Sequence, residues 1–333
     1  MTASDAAVTR VLVGTYAGQG GPGLVPIVCA GGRWRMAAPL DHVRNASWSV
    51  AAPRHGLRYV VDEMANAVVV LGADWEEVGR LPAGGEAPCH LALSPDERCL
   101  AVANYASGSV TLITLSDDGM PIEAMTWPGT GSGPNTERQD GPHAHWVAFG
   151  AEDTLVRVDL GADRIVGGLG DAEWTLYAAP PGSGPRHLAI HPDRPLAYLV
   201  SELASTLTVL RTDTQPWTAT TILSTLPNDA QADSLGGAIA LDAAASRLFV
   251  TNRGHDSIAT YAIEPDGTPR LLGHVSSGGR SPRFVRPLAD QLLVAHEEEG
   301  GVTIFAFDDD GVPTGTPERL VIPGAVFLMT AGD

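Results

Sequence analysis

A pattern of apolar and polar positions recurs along the whole chain. An apolar run closed by a single polar residue occurs seven times, with spacings of 47, 42, 55, 42, 51 and 44 residues between the polar positions. The polar positions are Thr15, Asp62, Asn104, Asp159, Ser201, Asn252 and His296. The runs are followed by a turn and a second segment of alternating apolar residues, such as SVTLITL and TLTVL. This arrangement predicts a β-hairpin in each repeat.

The length of the repeat predicts the fold. Units of three or four short strands that recur at this spacing fall in the ~40 to 50 residue range of propeller blades. No segment longer than two turns has helical apolar periodicity, and 38 glycines and 25 prolines supply many tight turns. We therefore predict an all-β, seven-bladed β-propeller, with residues 1–333 as a single domain. The terminal strand PGAVFLM is expected to pair with the first strand, VTRVLVGTY, and to close the ring.

The charge of the chain limits its partners. The 21 basic and 39 acidic side chains give a formal net charge of −18, a field that repels nucleic acid and anionic membranes. An anionic substrate would therefore need a local cluster of arginines. No apolar run approaches the ~20 residues that span a bilayer, and no signal-peptide pattern precedes the first strand. We expect a cytoplasmic protein, a monomer or weak homodimer, that acts on a small molecule.

The cysteines and serines show no pattern of a reactive site. Cys29, Cys89 and Cys99 lack metal-ligand spacing and lie beside apolar residues, which predicts buried thiols. We expect that no cysteine has a base positioned to activate it, and no G-x-S-x-G motif is present. We therefore expect neither a nucleophilic serine or cysteine nor a metal site.

Titratable residues are concentrated in one stretch, residues 138–202, at the ends of apolar segments. They are Arg138, His143, His145, Asp159, Arg186, His187 and Glu202. Such a density favours a functional site, although each histidine alone could simply hydrogen-bond a turn. The residues that directly follow the repeated polar position are expected to face a central channel. They include Glu63, Tyr105, Glu202, Arg253 and Glu297. For Glu63 and Glu297, a solvated surface position is the alternative.

Several motifs resemble one known family. The runs LSPDERCLAVANYASGSV, RQDGPHAHW, VDLGADRI, GPRHLAIHPD, YLVSEL and TNRGHDSIATY are similar to those of propeller-type 6-phosphogluconolactonases and the related carboxy-muconate cyclase. The resemblance spans nearly the whole chain. It implies a seven-bladed propeller that acts on lactone rings without metal or cofactor. It also implies that His145, Arg186, Glu202 and Arg253 form the catalytic set.

The chain departs from that family in three places. Ser201 stands where the family usually has Asn, and LDAAASRL replaces an SPDG turn. His296 and Glu297 replace an Asn-Gln pair, which leaves the identity of the substrate open.

Residue chemistry suggests how these groups would open a lactone. His145 could act as acid or base near neutrality, and Glu202 could orient it or act as the base. Arg186 and Arg253 could hold a developing oxyanion or an anionic group of the substrate. Predicted substrate contacts are Glu63, Arg138, His143, His187 and Arg283, with Arg138 and Arg283 as an outer clamp. For all four arginines, ion pairs between blades are the alternative.

Three functions remain open from the sequence. The first is hydrolysis of a sugar-acid lactone, with or without phosphate. The second is a lyase or isomerase that closes a muconate-like diacid to a lactone with the same four residues. The third is a non-catalytic propeller that binds a ligand, which the charged residues disfavour.

Overall fold

The fold consists almost entirely of antiparallel strands. A computed structural model describes residues 9–150, 154–230 and 233–330, and these form seven four-stranded sheets. The first strands of neighbouring sheets pack against one another around the axis of the ring. This confirms the predicted all-β, seven-bladed β-propeller. The assignment of residues 1–333 to a single domain stays a prediction, because the two ends of the chain lie outside the described residues.

Each blade takes four strands, which are numbered in chain order. Blade 1 consists of β1 (Thr9–Thr15), β2 (Leu24–Ala30), β3 (Arg33–Met36) and, from the other end of the chain, β28 (Ala325–Thr330). Blades 2 and 3 consist of β4 (Ala46–Ala52), β5 (Leu57–Asp62), β6 (Ala67–Leu71) and β7 (Glu77–Pro82), then β8 (Pro88–Leu93), β9 (Cys99–Asn104), β10 (Ser109–Leu115) and β11 (Pro121–Trp127).

The remaining four blades follow the same order. Blades 4 and 5 consist of β12 (Ala144–Phe149), β13 (Leu155–Asp159), β14 (Arg164–Gly167) and β15 (Trp174–Ala178), then β16 (Pro185–Ile190), β17 (Leu196–Ser201), β18 (Thr206–Arg211) and β19 (Thr218–Ser224). Blades 6 and 7 consist of β20 (Leu235–Leu241), β21 (Arg247–Arg253), β22 (Ser257–Ile263) and β23 (Pro269–Ser276), then β24 (Arg280–Pro287), β25 (Gln291–Glu299), β26 (Val302–Phe307) and β27 (Pro313–Leu320).

Helix is confined to three short turns of 3₁₀ type among the described residues. These are Ala17–Gln19, Glu63–Ala65 and Gly170–Ala172. Consistent with that, none of the described helices has the length and apolar character needed to cross a membrane.

The ring is closed by the two ends of the chain. Strand β28 pairs antiparallel with β1, so that Val13 lies opposite Leu328 and Val11 lies opposite Thr330. The predicted pairing of the terminal strand with the first strand is thereby confirmed. This pairing gives β1 a partner strand on both of its edges.

The repeated polar residue is a structural position in each blade. All seven side chains are buried. The Thr15 hydroxyl donates to the Gly23 carbonyl oxygen at 2.6 Å, and Asn252 Nδ2 donates to the Thr225 carbonyl oxygen at 2.9 Å. Asp159 Oδ1 accepts the backbone N–H of His143 at 2.9 Å. These bonds satisfy backbone groups at the turns, where the sheet ladder ends.

In every blade, the strand nearest the axis contains one extra residue where it pairs with the repeated polar residue of the next strand. In blade 5, Pro185 pairs with Ser201 and His187 with Val200, so Arg186 has no partner. The equivalent extra residues are Val326, Ser47, Cys89, His145, Arg186, Gly237 and Arg283. Such a β-bulge bends the strand and redirects the side chain of the extra residue. Six of these seven side chains line one small cavity at the axis.

The residues directly after the bulges fill the centre of the propeller with aromatic rings. The ring centroid of Trp48 lies 3.9 Å from that of His90, 5.5 Å from His187 and 5.2 Å from Phe327. Phe284 lies 5.6 Å from Trp48. Because rings from five blades contact one another, the axis is filled at this level. The expectation that the residues after the repeated polar position face a shared central channel is corrected accordingly. The axis holds a small cavity with an aromatic base, and none of those strand-end residues is among its described lining residues.

The cysteines differ from the sequence-based expectation. Cys89 is buried, as predicted, whereas Cys29 and Cys99 are only partly buried. Cys29 lies near the outer end of β2, and Cys99 begins β9 beside a turn. Apolar neighbours in sequence do not guarantee burial at these strand ends, because alternate residues of a strand face opposite sides of the sheet.

Stability should depend on the closing strand. Leu328 is fully buried in β28, and Leu328→Ala should lower the free energy of unfolding by about 2–5 kcal/mol, since the truncation leaves a cavity. Val321 is a matched control just before that strand, because its side chain is 73% exposed. Val321→Ala should change stability little. Denaturant or thermal unfolding would measure both, and equal effects would contradict this account of ring closure.

Candidate active site

A cavity at the axis collects charged side chains from several blades. Its free volume is about 10 Å³, which is no more than one water occupies by this measure. Among the residues around it are the bulged residues Ser47, Cys89, His145, Arg186, Arg283 and Val326. The cavity is therefore too small for a substrate and can accept only a single small group.

The seventh bulged residue, Gly237, contributes its backbone. A Cβ atom at this position would lie 2.3 Å from Thr251 Oγ1 and 2.7 Å from the Pro282 carbonyl oxygen, so no side chain fits. Its own carbonyl oxygen accepts a hydrogen bond from Arg186 Nη1 at 2.9 Å. The glycine thus helps to fix the orientation of the neighbouring guanidinium.

Glu202 lies between three arginines. Its Oε2 is 3.0 Å from Arg186 Nε and 2.6 Å from Arg253 Nη2, and its Oε1 is 2.5 Å from Arg138 Nη2. Glu202 follows β17, while Arg186 is the second residue of β16, Arg253 ends β21 and Arg138 precedes β12. One carboxylate therefore holds together cationic groups from three consecutive blades.

The protonation states follow from these contacts. Burial alone would raise the pKa of Glu202, but Arg253 and Arg186 outweigh it and hold that pKa well below its usual value. Burial, followed by the charge of Arg253, lowers the pKa of Arg186 to about 10. At pH 7 Glu202 and Arg186 are therefore both charged. Glu202 is accordingly a weak base, and its contacts do not support the predicted role as a general base.

His145 is buried beside this arginine cluster. Its ring centroid lies 5.0 Å from that of His187 and 5.3 Å from that of Tyr105. Burial, reinforced by the charge of Arg186, lowers the pKa of His145 well below 6.5. The imidazole is therefore neutral at pH 7, and it could accept a proton. No hydrogen bond joins it to Glu202 in the described part of the chain, so the predicted orienting role of Glu202 is indirect.

Cys89 has a histidine neighbour that the sequence does not reveal. Its Sγ lies 3.9 Å from His145 Nδ1. The two residues are far apart in the chain and meet because both are bulged residues of adjacent blades. Burial raises the pKa of the Cys89 thiol, so it remains protonated. The expectation that no cysteine has a base beside it was wrong, but a protonated thiol is a poor nucleophile.

A second network holds Arg283. Its Nη2 donates to the Tyr16 hydroxyl at 2.9 Å, and its Nη1 donates to Glu297 Oε2 at 3.1 Å. The Tyr16 hydroxyl donates in turn to Glu63 Oε2 at 2.6 Å. The alternative of a solvated surface position is therefore wrong for Glu63, which is buried, whereas Glu297 is partly exposed and paired with Arg283. His296, the other departure from the family pattern, is buried with Nδ1 3.1 Å from the Gly301 carbonyl oxygen.

A larger cleft adjoins the cavity. It has a volume of about 730 Å³ and is walled mainly by blades 6 and 7, a size typical of small-molecule sites. Arg253 and Arg283 line it, together with Leu203 and Glu297. Arg283 also lines the axial cavity and therefore connects the two. A substrate in the cleft could place one group at the cavity and the rest of its body against blades 6 and 7.

Most of the predicted site residues lie together, but not all. His145, Arg186 and Arg283 line the axial cavity. Glu202 links Arg186 to Arg138 and Arg253 beside it. His143 instead stacks on Tyr105 with a centroid distance of 4.6 Å, and its Nδ1 is 2.9 Å from the Tyr105 carbonyl oxygen. The expectation that it shares a face with His145 through strand alternation is corrected, since the bulge at His145 interrupts the alternation.

Two predicted substrate contacts have other surroundings. Glu63 is buried and accepts a hydrogen bond from the Tyr16 hydroxyl. It is not among the described residues that line the cleft. His187 lies among the axial rings, where burial and Arg186 lower its pKa well below 6.5. Direct substrate contact is therefore not supported for Glu63, while His187 reaches only the wall of the small cavity.

Sequence reasoning missed Tyr16 and gave Tyr105 no role. Both follow the repeated polar position, as Glu202 and Arg253 do, so the repeat itself was the available signal. Tyr105 accepts a hydrogen bond from Arg138 Nη2 at 3.2 Å. Each tyrosine thus accepts a hydrogen bond from one arginine of the site, Tyr16 from Arg283 and Tyr105 from Arg138.

The described residues contain no group of three or more His, Cys, Asp or Glu side chains arranged to hold a metal ion. All 21 basic residues of the chain are arginines, because it contains no lysine. An amine nucleophile from a lysine side chain is therefore absent from this protein.

Fold and site together define a β-propeller enzyme whose pocket combines a neutral histidine with fixed arginines. The sequence matches the family described as lactonase, 7-bladed beta-propeller, over residues 10–330. The chain belongs to that family. This membership confirms the sequence-based prediction of an enzyme of the lactone-hydrolase class.

Individual relatives agree with this assignment. The chain is 33% identical over 255 residues to a 6-phosphogluconolactonase of Bacillus subtilis, with 72% of each chain covered. A solved structure from Lactobacillus plantarum is 25% identical, with a TM-score of 0.88 and coverage of 97% of this chain and 99% of that one. A periplasmic gluconolactonase of Pseudomonas aeruginosa is 24% identical, with a TM-score of 0.88 and coverage of 97% and 99%. The likeness to that gluconolactonase shows the fold alone.

The buried histidines predict loss of stability in acid. Burial, followed by the charge of Arg186, lowers the pKa of His90, His145 and His187, and burial lowers that of His296 to about 4. The unfolded chain would bind protons near pH 6.5 where the folded protein does not. Stability should therefore be fully present above pH 6.5 and fall below it, by about 1.4 kcal/mol per pH unit for each such histidine.

Thermal unfolding between pH 7.5 and pH 5 would measure this dependence. His90→Phe keeps an aromatic ring beside Trp48 but removes one titrating group. The variant should take up about one proton fewer on unfolding, so its stability should fall less steeply with decreasing pH. A midpoint that is constant over this range would show that the histidines do not carry the effect.

Proposed function

We propose that the protein hydrolyses the lactone of a sugar acid by general acid and base catalysis with electrostatic stabilisation by arginine. The observation that carries the proposal is the convergence of His145, Arg186 and Arg283 on a cavity of single-group size beside a substrate-sized cleft. The relative in Bacillus subtilis that is a 6-phosphogluconolactonase supports a sugar-acid substrate.

His145 is proposed to move the proton. As a neutral imidazole it accepts a proton from a water molecule while the water oxygen forms a bond to the lactone carbonyl carbon. The ring C–O bond then breaks, and the imidazolium returns the proton to the leaving alkoxide. A lowered pKa suits the second step, because it makes the imidazolium a stronger acid.

Arg186 and Arg283 are proposed to stabilise the oxyanion of the tetrahedral intermediate. Both line the cavity and both are fixed by partners inside the protein, so they need no reorganisation when charge develops. Arg253 lines the cleft and is proposed to hold a polar group of the substrate. Arg138 and Glu202 are proposed to position these arginines, which revises the expectation of Glu202 as a base.

Kinetics of two histidine variants test the assignment. His145→Ala should lower kcat by about 100-fold or more with a smaller change in KM, since it removes the proton carrier. His143→Ala is the matched control, two residues away and stacked on Tyr105, and it should keep most of the activity. Hydrolysis of a panel of lactones and muconates, followed by proton release, would measure both.

Other outcomes would identify the alternative functions. Loss of activity in His143→Ala alone would reverse the roles of the two histidines. Lactone formation from a muconate, without hydrolysis of any lactone, would favour the cyclase. Absence of any reaction in the wild type would favour a binding protein.

The proposed mechanism involves no metal ion. Exhaustive treatment with a chelator should therefore leave the rate of lactone hydrolysis unchanged. Atomic absorption of the dialysed protein would accompany the assay. A loss of activity that one divalent cation restores would contradict the proposal. A cytoplasmic location and a monomer or weak homodimer stay predictions beside it.

A further inference from the structure

The charges around the site differ between its floor and its rim. We define the floor as the two arginine networks, which consist of Arg138, Arg186, Arg253, Arg283, Glu63, Glu202 and Glu297. Four positive and three negative groups give the floor a charge of 4 − 3 = +1. We define the rim as the other charged residues of the cleft, which are Asp233, Asp256, Arg280 and Glu298. One positive and three negative groups give the rim a charge of 1 − 3 = −2.

Arg280, the one cation among the four rim residues, is already paired with a carboxylate. Arg280 Nη2 lies 3.0 Å from Glu298 Oε2. Asp256 Oδ1 accepts the backbone N–H groups of Gly254 at 3.1 Å and Ser281 at 2.8 Å. In the described part of the chain, no basic side chain forms a salt bridge with Asp233 or Asp256. Because the sequence contains no lysine, no lysine ammonium group is available at the rim either.

This distribution suits one class of lactone better than another. The carbonyl group that reacts must lie at the floor, where positive charge stabilises the oxyanion and the carboxylate product. The far end of the sugar then lies in the cleft, toward the rim. A phosphate ester there carries about −1.5 to −2 charges at pH 7, and it would face uncompensated carboxylates. The net charge of −18 adds a long-range repulsion that slows the approach of anions.

We infer that this enzyme selects lactones of unphosphorylated sugar acids and rejects their phosphate esters. The inference rests on the proposed function and specifies its substrate class. Selection comes mainly from repulsion at the rim and not from extra contacts to the preferred substrate. At an effective dielectric constant near 20, such repulsion over about 10 Å corresponds to roughly a tenfold effect for each pair of charges.

The test compares glucono-1,5-lactone with its 6-phosphate at low and high ionic strength. The value of kcat/KM should be at least tenfold higher for the unphosphorylated lactone, mainly through KM. The ratio should shrink in 0.5 M salt, because salt screens the rim charges. An equal or higher kcat/KM for the phosphate ester would overturn the inference and leave the proposed hydrolysis intact.

A charge variant provides the second measurement. The double variant Asp233→Asn, Glu298→Gln changes the rim from −2 to 0, and it should narrow the ratio between the two lactones by about tenfold or more. The control is Asp117→Asn, Glu123→Gln, with the same change in net charge on exposed positions of blade 3. An unchanged ratio in the rim variant, or the same change in the control, would contradict the role of the rim.

Binding separates failure of this inference from failure of the proposed function. If neither lactone is hydrolysed, the proposed function is wrong. Calorimetry with gluconate and 6-phosphogluconate then still tests the charge selectivity, with tighter binding of gluconate as the expected result. Tighter binding of the phosphate ester would overturn the inference.

Discussion

The site depends on one extra residue in each inner strand. A strand that pairs residue for residue places alternate side chains on opposite faces of its sheet, whereas the bulge redirects one side chain out of this alternation. His145, Arg186 and Arg283 are all such residues, in three different blades. The ring then brings the bulges of all blades to the same height on the axis. The lining of the candidate site is thus built largely on a repeated feature of the scaffold, while Arg138 and Glu202 reach it from turns.

Burial of so much positive charge requires compensation. Guanidinium groups removed from water are costly unless carboxylates and backbone oxygens replace the lost hydration. Glu202 does this for three arginines, and Glu297 with Tyr16 does it for Arg283. The same contacts hold the arginines in fixed positions before a substrate arrives. Aromatic rings fill the axis beneath the cavity, and electrostatic interactions at such buried positions are stronger than in water.

Local patterning accounts for what could be predicted. Strand alternation and turn residues depend on neighbours in the chain, so the repeat, the number of blades and the ring closure were all accessible. His145, Arg186, Glu202 and Arg253 were accessible through motifs that resemble a family. Glu63 and His187 were assigned to the substrate because a charged or titratable residue at a strand end can equally face a ligand or a buried partner. Only the positions of Tyr16 and of the aromatic rings decide between these two surroundings.

The sequence by itself determined the architecture, because the period of apolar positions specifies strands and their number. It also determined the types of group available for chemistry, including the exclusive use of arginine as the cation. Tertiary structure decided which of these groups meet. Cys89 and His145 are 56 positions apart in sequence, yet their side chains lie 3.9 Å apart. The pKa values of His145 and Glu202 were likewise decided by the fold, since burial and nearby charges arise only when blades assemble into a ring.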